Sequence, residues 1–427
     1  MDRIHQKKPL HQPLFASMRW LTLALLIVVT ILSGCKSSTP ESSDATVTPT
    51  MSGSPSSSAT PAGSATPGSG GTASPSPGSG GSVPGGSSPL DNTTGRVTAV
   101  RLIDPQAGWT GGDGWISRTE DGGKSWTKQY QGKGIVQQIF ALNGKSAWAV
   151  ISPDAAKPDQ RQLLHTADGG KVWSAVGPMP NAAFLHFVSE SEAFSGNAHS
   201  TDGGKTWTTL KVPGGIAGDA NFHDKANGWA AVNGANTIEV HRTVDGGATW
   251  EKVLSRATSV PLTGAVIRSA GKGDAWVEAV GESGMSQTSY SLFHTTDGGK
   301  SWQPVLANST AGGGPAPGFP MDYYGGPQNN GAKPGPLYVV DPQTAFLAGY
   351  CPACDKPNSI GWTKDAGKTW VNGKTEIGGF VGSLLAMADA NKGWWIGTDL
   401  TEPSVMYTTA DGGASWTKVF TFDKPKQ

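Results

Sequence analysis

Seven aspartates stand in one eight-residue setting: Thr or Ser, any residue, Asp, Gly or Ala, Gly, two residues, Trp. They are Asp121, Asp168, Asp202, Asp245, Asp297, Asp365 and Asp411, and their copies close on Trp126, Trp173, Trp207, Trp250, Trp302, Trp370 and Trp416. A carboxylate can serve as a general acid or base, a nucleophile or a metal ligand. Asp-Gly-Gly, however, is turn chemistry, because glycine takes positive φ cheaply and Asp bonds the backbone of its own turn. A carboxylate used seven times for one turn is expected to be structural. The Thr or Ser hydroxyl joins it, and the Trp opens the next strand over the turn.

The remaining chemistry-bearing residues are sparse. Glu239, Glu278, Glu282, Asp322 and Asp399 are the candidates for a paired-carboxylate hydrolase, and no spacing singles out two of them. His165, His199 and His294 each stand three residues before a repeated Asp, where Arg118 and Arg242 stand in other copies. Equivalent positions in separate repeats lie too far apart to share an ion, so these are expected at strand surfaces. Cys351-Pro-Ala-Cys354 supplies only two ligands, and no adjacent His or second pair completes a zinc site. Outside the cytoplasm a loop-clamping disulfide is expected, with redox activity or metal binding as the alternatives. No cofactor, metal site or catalytic residue is assigned.

What must position these residues is a repeat. A second motif precedes each aspartate: DPQAGW (104–109), NGKSAW (143–148), SESEAF (189–194), DKANGW (224–229), GKGDAW (271–276), DPQTAF (341–346) and DANKGW (389–394). Each is a turn ending on an aromatic that leads an apolar strand. Apolar stretches such as 97–103, 135–140, 182–187 and 383–388 come before these turns. One unit is therefore strand A, turn, strand B, loop, strand C, Asp turn, strand D. Four short strands repeating every ~47 residues describe a propeller blade. The expected fold is all-β, a seven-bladed β-propeller of four-stranded blades over residues 96–427, monomeric, with residues 91–95 as candidates for a closing strand.

Composition agrees. Gly 60 and Pro 30 make about a fifth of the 427 residues, against roughly 12% in ordinary chains. Both are poor helix formers, which disfavours bundles, coiled coils and doubly wound folds. Lys+Arg 33 balances Asp+Glu 33. With no basic stripe, nucleic-acid binding is excluded as an expectation.

The first residues read as an address. Residues 20–32 form an apolar run behind Arg19, too short for a comfortable membrane span and suited to an export signal. Leu32-Ser33-Gly34-Cys35 resembles the lipobox of bacterial lipoproteins. That resemblance implies cleavage after residue 34 and lipidation of Cys35. The expected location is the outer surface of the bacterial cytoplasmic membrane, or its periplasmic side. Met18 is an alternative start. Residues 35–95 follow as a lipid-anchored linker, whose Ser/Thr/Pro/Gly composition is that of a disordered tether. Its 36–90 stretch has an r.m.s. reach of roughly 40 Å.

The repeated motif resembles the Asp-box, or BNR repeat, of sialidase-like propellers. Combined with the aromatic-led strand, it is most similar to the photosystem II stability/assembly factor family, over about 330 residues. That resemblance implies an exported seven-bladed lipoprotein acting as an assembly factor. The family's arginine patch has no equivalent here, since Arg96, Arg101, Arg118, Arg161, Arg242, Arg256 and Arg268 are scattered. The expected function is a non-catalytic, membrane-tethered scaffold that docks a protein partner. The alternatives are an exo-acting, sialidase-like glycosidase and an extracellular glycan-binding propeller. Binding is expected on the face carrying B–C and D–A loops, above all at Met321, Asp322, Tyr323 and Tyr324 in the long 307–336 connection, near the Cys351 loop.

Overall fold

The computed structural model describes residues 94–425, apart from 155, 324 and 356. The expected export signal, the lipidation site Cys35 and Tyr324 lie outside the described residues. Within them every regular element is a strand, and neighbouring strands pair antiparallel.

The strands form six hydrogen-bonded sheets, five of four strands and one of six. The propeller architecture agrees with expectation; seven separate four-stranded sheets do not appear. The first two repeat units share the six-stranded sheet because two of their strands are continuous. Gly108–Thr119 pairs with Val97–Leu102 over its first half and with Thr127–Ala141 over its second. Thr127–Ala141 then crosses to pair with Ala147–Ser152. The intervening Asp113-Gly114 and Gly132–Gly134 segments are too short to leave the ladder, and Asp113 pairs with Ile135.

The core lies between successive units, since no unit can bury both faces alone. Trp229, Ala231 and Ile238 pack against Ile267, Val277 and Phe293 of the next unit. Trp109, Trp148, Trp229, Trp276 and Trp394 are fully buried, with Phe194 and Phe346 in the equivalent places elsewhere. Removing such a ring costs about 3–5 kcal/mol. Turn tryptophans reach across to the preceding unit: Trp302 meets Trp229 edge-on at 6.0 Å, and Trp126 meets Trp394 at 5.6 Å.

Among the described residues the ring closes by packing and side-chain bonds, with no exchanged strand. Val97, Leu102 and Trp115 join Ala386, Trp394 and Ile396 in one apolar cluster. The Val97 N–H donates to Ser404 Oγ at 3.1 Å, and the Thr94 N–H to Asp423 Oδ2 at 2.6 Å. The last strand, Thr417–Thr421, pairs with Val405–Thr409 of its own sheet. This up-and-down strand order puts the A–B turns and Asp turns on one face, and the B–C and D–A loops on the other.

Candidate functional site

The Asp turns share one geometry. At Asp202, the Ser200 hydroxyl donates to Oδ1 at 2.8 Å, the Thr206 N–H to Oδ1 at 2.9 Å and the Thr206 hydroxyl to Oδ2 at 2.6 Å. Asp121, Asp245, Asp297, Asp365 and Asp411 repeat this pattern. Asp168 lacks the last bond, because Val172 offers no hydroxyl. The side-chain hydroxyl bonds, followed by backbone N–H bonds, hold Asp121, Asp202, Asp245, Asp297 and Asp411 down to about 2. Asp168 and Asp365 are also lowered: burial pushes against ionisation, and the bonds from Val172 and Thr369 outweigh it. A carboxylate so saturated and so acidic is a poor proton donor. The turn's first glycine position needs positive φ, which Ala366 adopts at 62° in the one copy lacking that glycine.

The other carboxylates do not converge. Glu239 bonds Lys252 at 3.0 Å and His241 at 2.9 Å. Asp399 caps its own turn through the Thr401 N–H at 2.9 Å. Glu282 and Asp322 are exposed. Glu278 is buried in the fifth unit, where burial raises it to about 8 against the opposing pull of Arg268.

The three repeated histidines have a role that their spacing did not reveal. Each ring stacks on the strand-B aromatic of its own unit: His165 on Trp148 at 4.5 Å, His199 on Phe194 at 4.6 Å, His294 on Trp276 at 3.6 Å. Each then bonds the adjoining turn, through Ser146 at 3.1 Å, Glu192 at 3.0 Å and Asp274 at 2.8 Å. Arg118 and Arg242 cover Trp109 and Trp229 in the same way, at 4.6 and 5.4 Å. His294 is fully buried, so the expected surface position is corrected there. No group of three metal-ligating side chains exists among the described residues.

On the loop-rich face, connections are bonded to one another. Gly312 N–H donates to Gln287 Oε1 at 2.9 Å, Thr288 N–H to Ala332 O at 2.8 Å, and Asn330 N–H to Asn372 Oδ1 at 3.0 Å. Met321 and Asp322 are exposed, while Tyr323 is half-buried and stacked on Phe319 at 4.7 Å. Phe319 stacks on Phe293 at 5.6 Å, and Arg256 lies over both rings and donates to Gly318 O at 2.7 Å. Met321 borders a hollow of about 600 Å³ with Arg256, Thr258 and Phe319. Cys351 and Cys354 are joined as a disulfide and border a different hollow of about 490 Å³, with Gln287, Asn308, Asn330 and Glu376. The structure thus places the Met321 segment and the cysteine loop at separate depressions.

A further feature escaped the sequence. Arg101, Arg268 and Tyr338, from the first strands of different units, and Phe184, just before another, line an axial cavity of about 410 Å³. Arg268 sits over Phe184 at 4.1 Å and Arg101 over Phe140 at 4.6 Å. Burial lowers Arg268 to about 10, with Glu278 and Asp219 opposing. Burial likewise holds His186 down to about 4, aided by His223 and Arg268. The only signal was an arginine within an otherwise apolar first strand, as in VTAVRLI.

No family model and no curated protein matches the chain. Among solved structures, YCF48 from Cyanidioschyzon merolae is 16% identical, with 72% of this chain and 94% of that chain covered at a TM-score of 0.46. A YCF48 bound to D1 peptide is 18% identical over 72% of this chain and 92% of that one, at 0.44. The GH74 xyloglucanase from Xanthomonas campestris is 13% identical over 75% of this chain, at 0.50, and this chain spans 52% of that enzyme. At 13% identity the likeness to the xyloglucanase is one of fold alone.

Proposed function

We propose that this chain is a non-catalytic propeller, tethered to the membrane through a lipid on Cys35, that docks a protein partner through its loop-rich face. The observation that carries this reading is the bonding between loops on that face, at Gln287–Gly312, Thr288–Ala332 and Asn330–Asn372. Loops fixed to one another form a preorganised surface, which lowers the ordering cost of association. Met285, Met321 and Leu400 stand exposed on those loops. Catalysis has no comparable support, because Glu278 is buried and the turn aspartates are saturated.

Seven repeat units remain the reading for the ring, with the six-stranded sheet counted as two. The first unit's Trp109 and Ile116 pack face to face with Val136, Ile139 and Ala149 of the second, as separate units do elsewhere. The export signal, tether and extracytoplasmic location belong to the same proposal, on the strength of the Leu32–Cys35 pattern.

Replacing Tyr323 with Ala tests the docking face. Partner capture should fall at least tenfold in a protein that still folds, its melting temperature lowered only by loss of the stacking on Phe319; unchanged capture would count against this segment. A second reading, glycan binding, is favoured by the amide side chains of Gln287, Asn308 and Asn330 around the disulfide hollow. A glycan array with the full chain separates the two, and a panel of chromogenic glycosides tests for hydrolysis.

A further inference from the structure

Trp115 belongs to neither repeated motif. It lies in the first unit beside the ring closure, 3% exposed and stacked on Phe422 at 6.3 Å. Its indole Nε1–H is buried and has no acceptor among the described residues, and the same holds for Nε–H of Arg96. Both groups can only donate. Trp229 and Trp276 also have indole N–H groups without acceptors, and like Trp115 they belong to apolar clusters between units, but they line no such hollow. Trp115 and Arg96 line a hollow of about 520 Å³.

The lining of that hollow is cationic. Lys128 and Lys133 join Arg96, and Asp113 is the one carboxylate among the lining residues. Among the described residues no acid forms an ion pair with Arg96 or Lys133. Gly95, Gly114, Gly132 and Gly134 form part of the same lining, so little side-chain bulk obstructs it. The unmet donors thus come from the chain start and the first hairpin, and the exposed charge of Lys133 is added by the Thr127–Ala141 strand. An anion rich in acceptors answers all of them at once. Donors from three segments suit a tetrahedral oxyanion, whereas a carboxylate is matched best by one planar guanidinium fork.

We propose that the seam between the first and last repeat units is a phosphate-binding site, with Arg96, Trp115 and Lys133 as its donors. The phosphate is either inorganic or the phosphodiester of an anionic lipid headgroup. Thr94 also lines the hollow, so the site lies where the folded body meets the linker. The proposal is independent of protein docking on the loops, because its probe is phosphate itself.

The experiment titrates the full-length chain with inorganic phosphate at constant ionic strength, read by tryptophan fluorescence and thermal melting. Saturable binding is expected. Arg96→Gln and Lys133→Gln should each weaken it at least tenfold, and Trp115→Phe, which keeps the ring but removes the N–H, several-fold. Lys171→Gln, beside the Asp168 turn, should change nothing. Melting of the unliganded variants reports folding, and exposed Lys133 keeps the test open if Arg96→Gln is unstable. A second arm compares phosphatidylcholine vesicles with and without phosphatidylglycerol. Excess binding to the anionic vesicles that is lost in Arg96→Gln assigns a lipid headgroup; saturation by phosphate without that excess assigns the inorganic ion. The proposal is overturned by absence of phosphate saturation together with no Arg96-dependent excess on anionic vesicles, by equal saturation with acetate, or by unchanged affinity in folded Arg96→Gln and Lys133→Gln proteins.

Discussion

Thr94 and Asp423, 329 residues apart in the chain, are joined by hydrogen bonds of 2.6, 3.0 and 3.2 Å. The Asp423 carboxylate accepts from both the N–H and the hydroxyl of Thr94, and the Asp423 N–H donates back to that hydroxyl. The two ends of the propeller are latched by side chains at the seam where the apolar cluster of Val97, Trp394 and Phe422 lies. Asp423→Ala is expected to cost about 1.5–3 kcal/mol, the range for bonds to a charged acceptor. Thr94→Ala should cost less, because its backbone N–H still reaches Asp423, and the double variant little more than Asp423→Ala, because the two residues act as a unit. Urea unfolding midpoints measure all three.

The Asp turns predict a particular acid sensitivity. Five of these carboxylates sit at about 2, below their ordinary value near 3.8. A depressed carboxylate contributes stability that is present above its unfolded value and is lost as pH falls through its folded one. Stability should therefore drop steeply between about pH 4 and pH 2. Asp245→Asn should lower stability at pH 6 and flatten the acid limb, as read by urea unfolding at several pH values.

Glu278 works in the opposite direction. Burial raises it to about 8 from an ordinary value of 4.5. Its unfolded form ionises first, so the stability it contributes is full below about pH 4.5 and is lost as pH rises towards 8. Glu278→Gln should leave stability nearly unchanged at pH 4.5 and raise it by about 2–4 kcal/mol at pH 8.5. A denaturation series from pH 4.5 to 8.5 decides it.

The sequence made the repeat legible because turn chemistry and aromatic spacing are local. Trp109 and its equivalents could be placed on strand B, and Asp121 and its equivalents in turns, before any contact was known. The merging of the first two sheets was not legible: whether Asp113-Gly114 and Gly132–Gly134 break a ladder depends on how adjacent units meet. The stacking of His165, His199 and His294 was hidden for a related reason. Spacing puts them on strand C, but only cross-strand register brings them over the aromatic of strand B. Arg101 and Arg268 come to line one cavity only once the ring has closed.

Crosslinking from the two faces separately tests the docking claim most directly. A photo-crosslinking residue replaces Met321 on the loop-rich face or Val172 on the Asp-turn face, both exposed, and adducts formed in cells are identified by mass spectrometry. The account predicts one recurrent protein adduct from position 321 and none from position 172. Adducts from position 172 alone, or no protein adduct from either face, would contradict it.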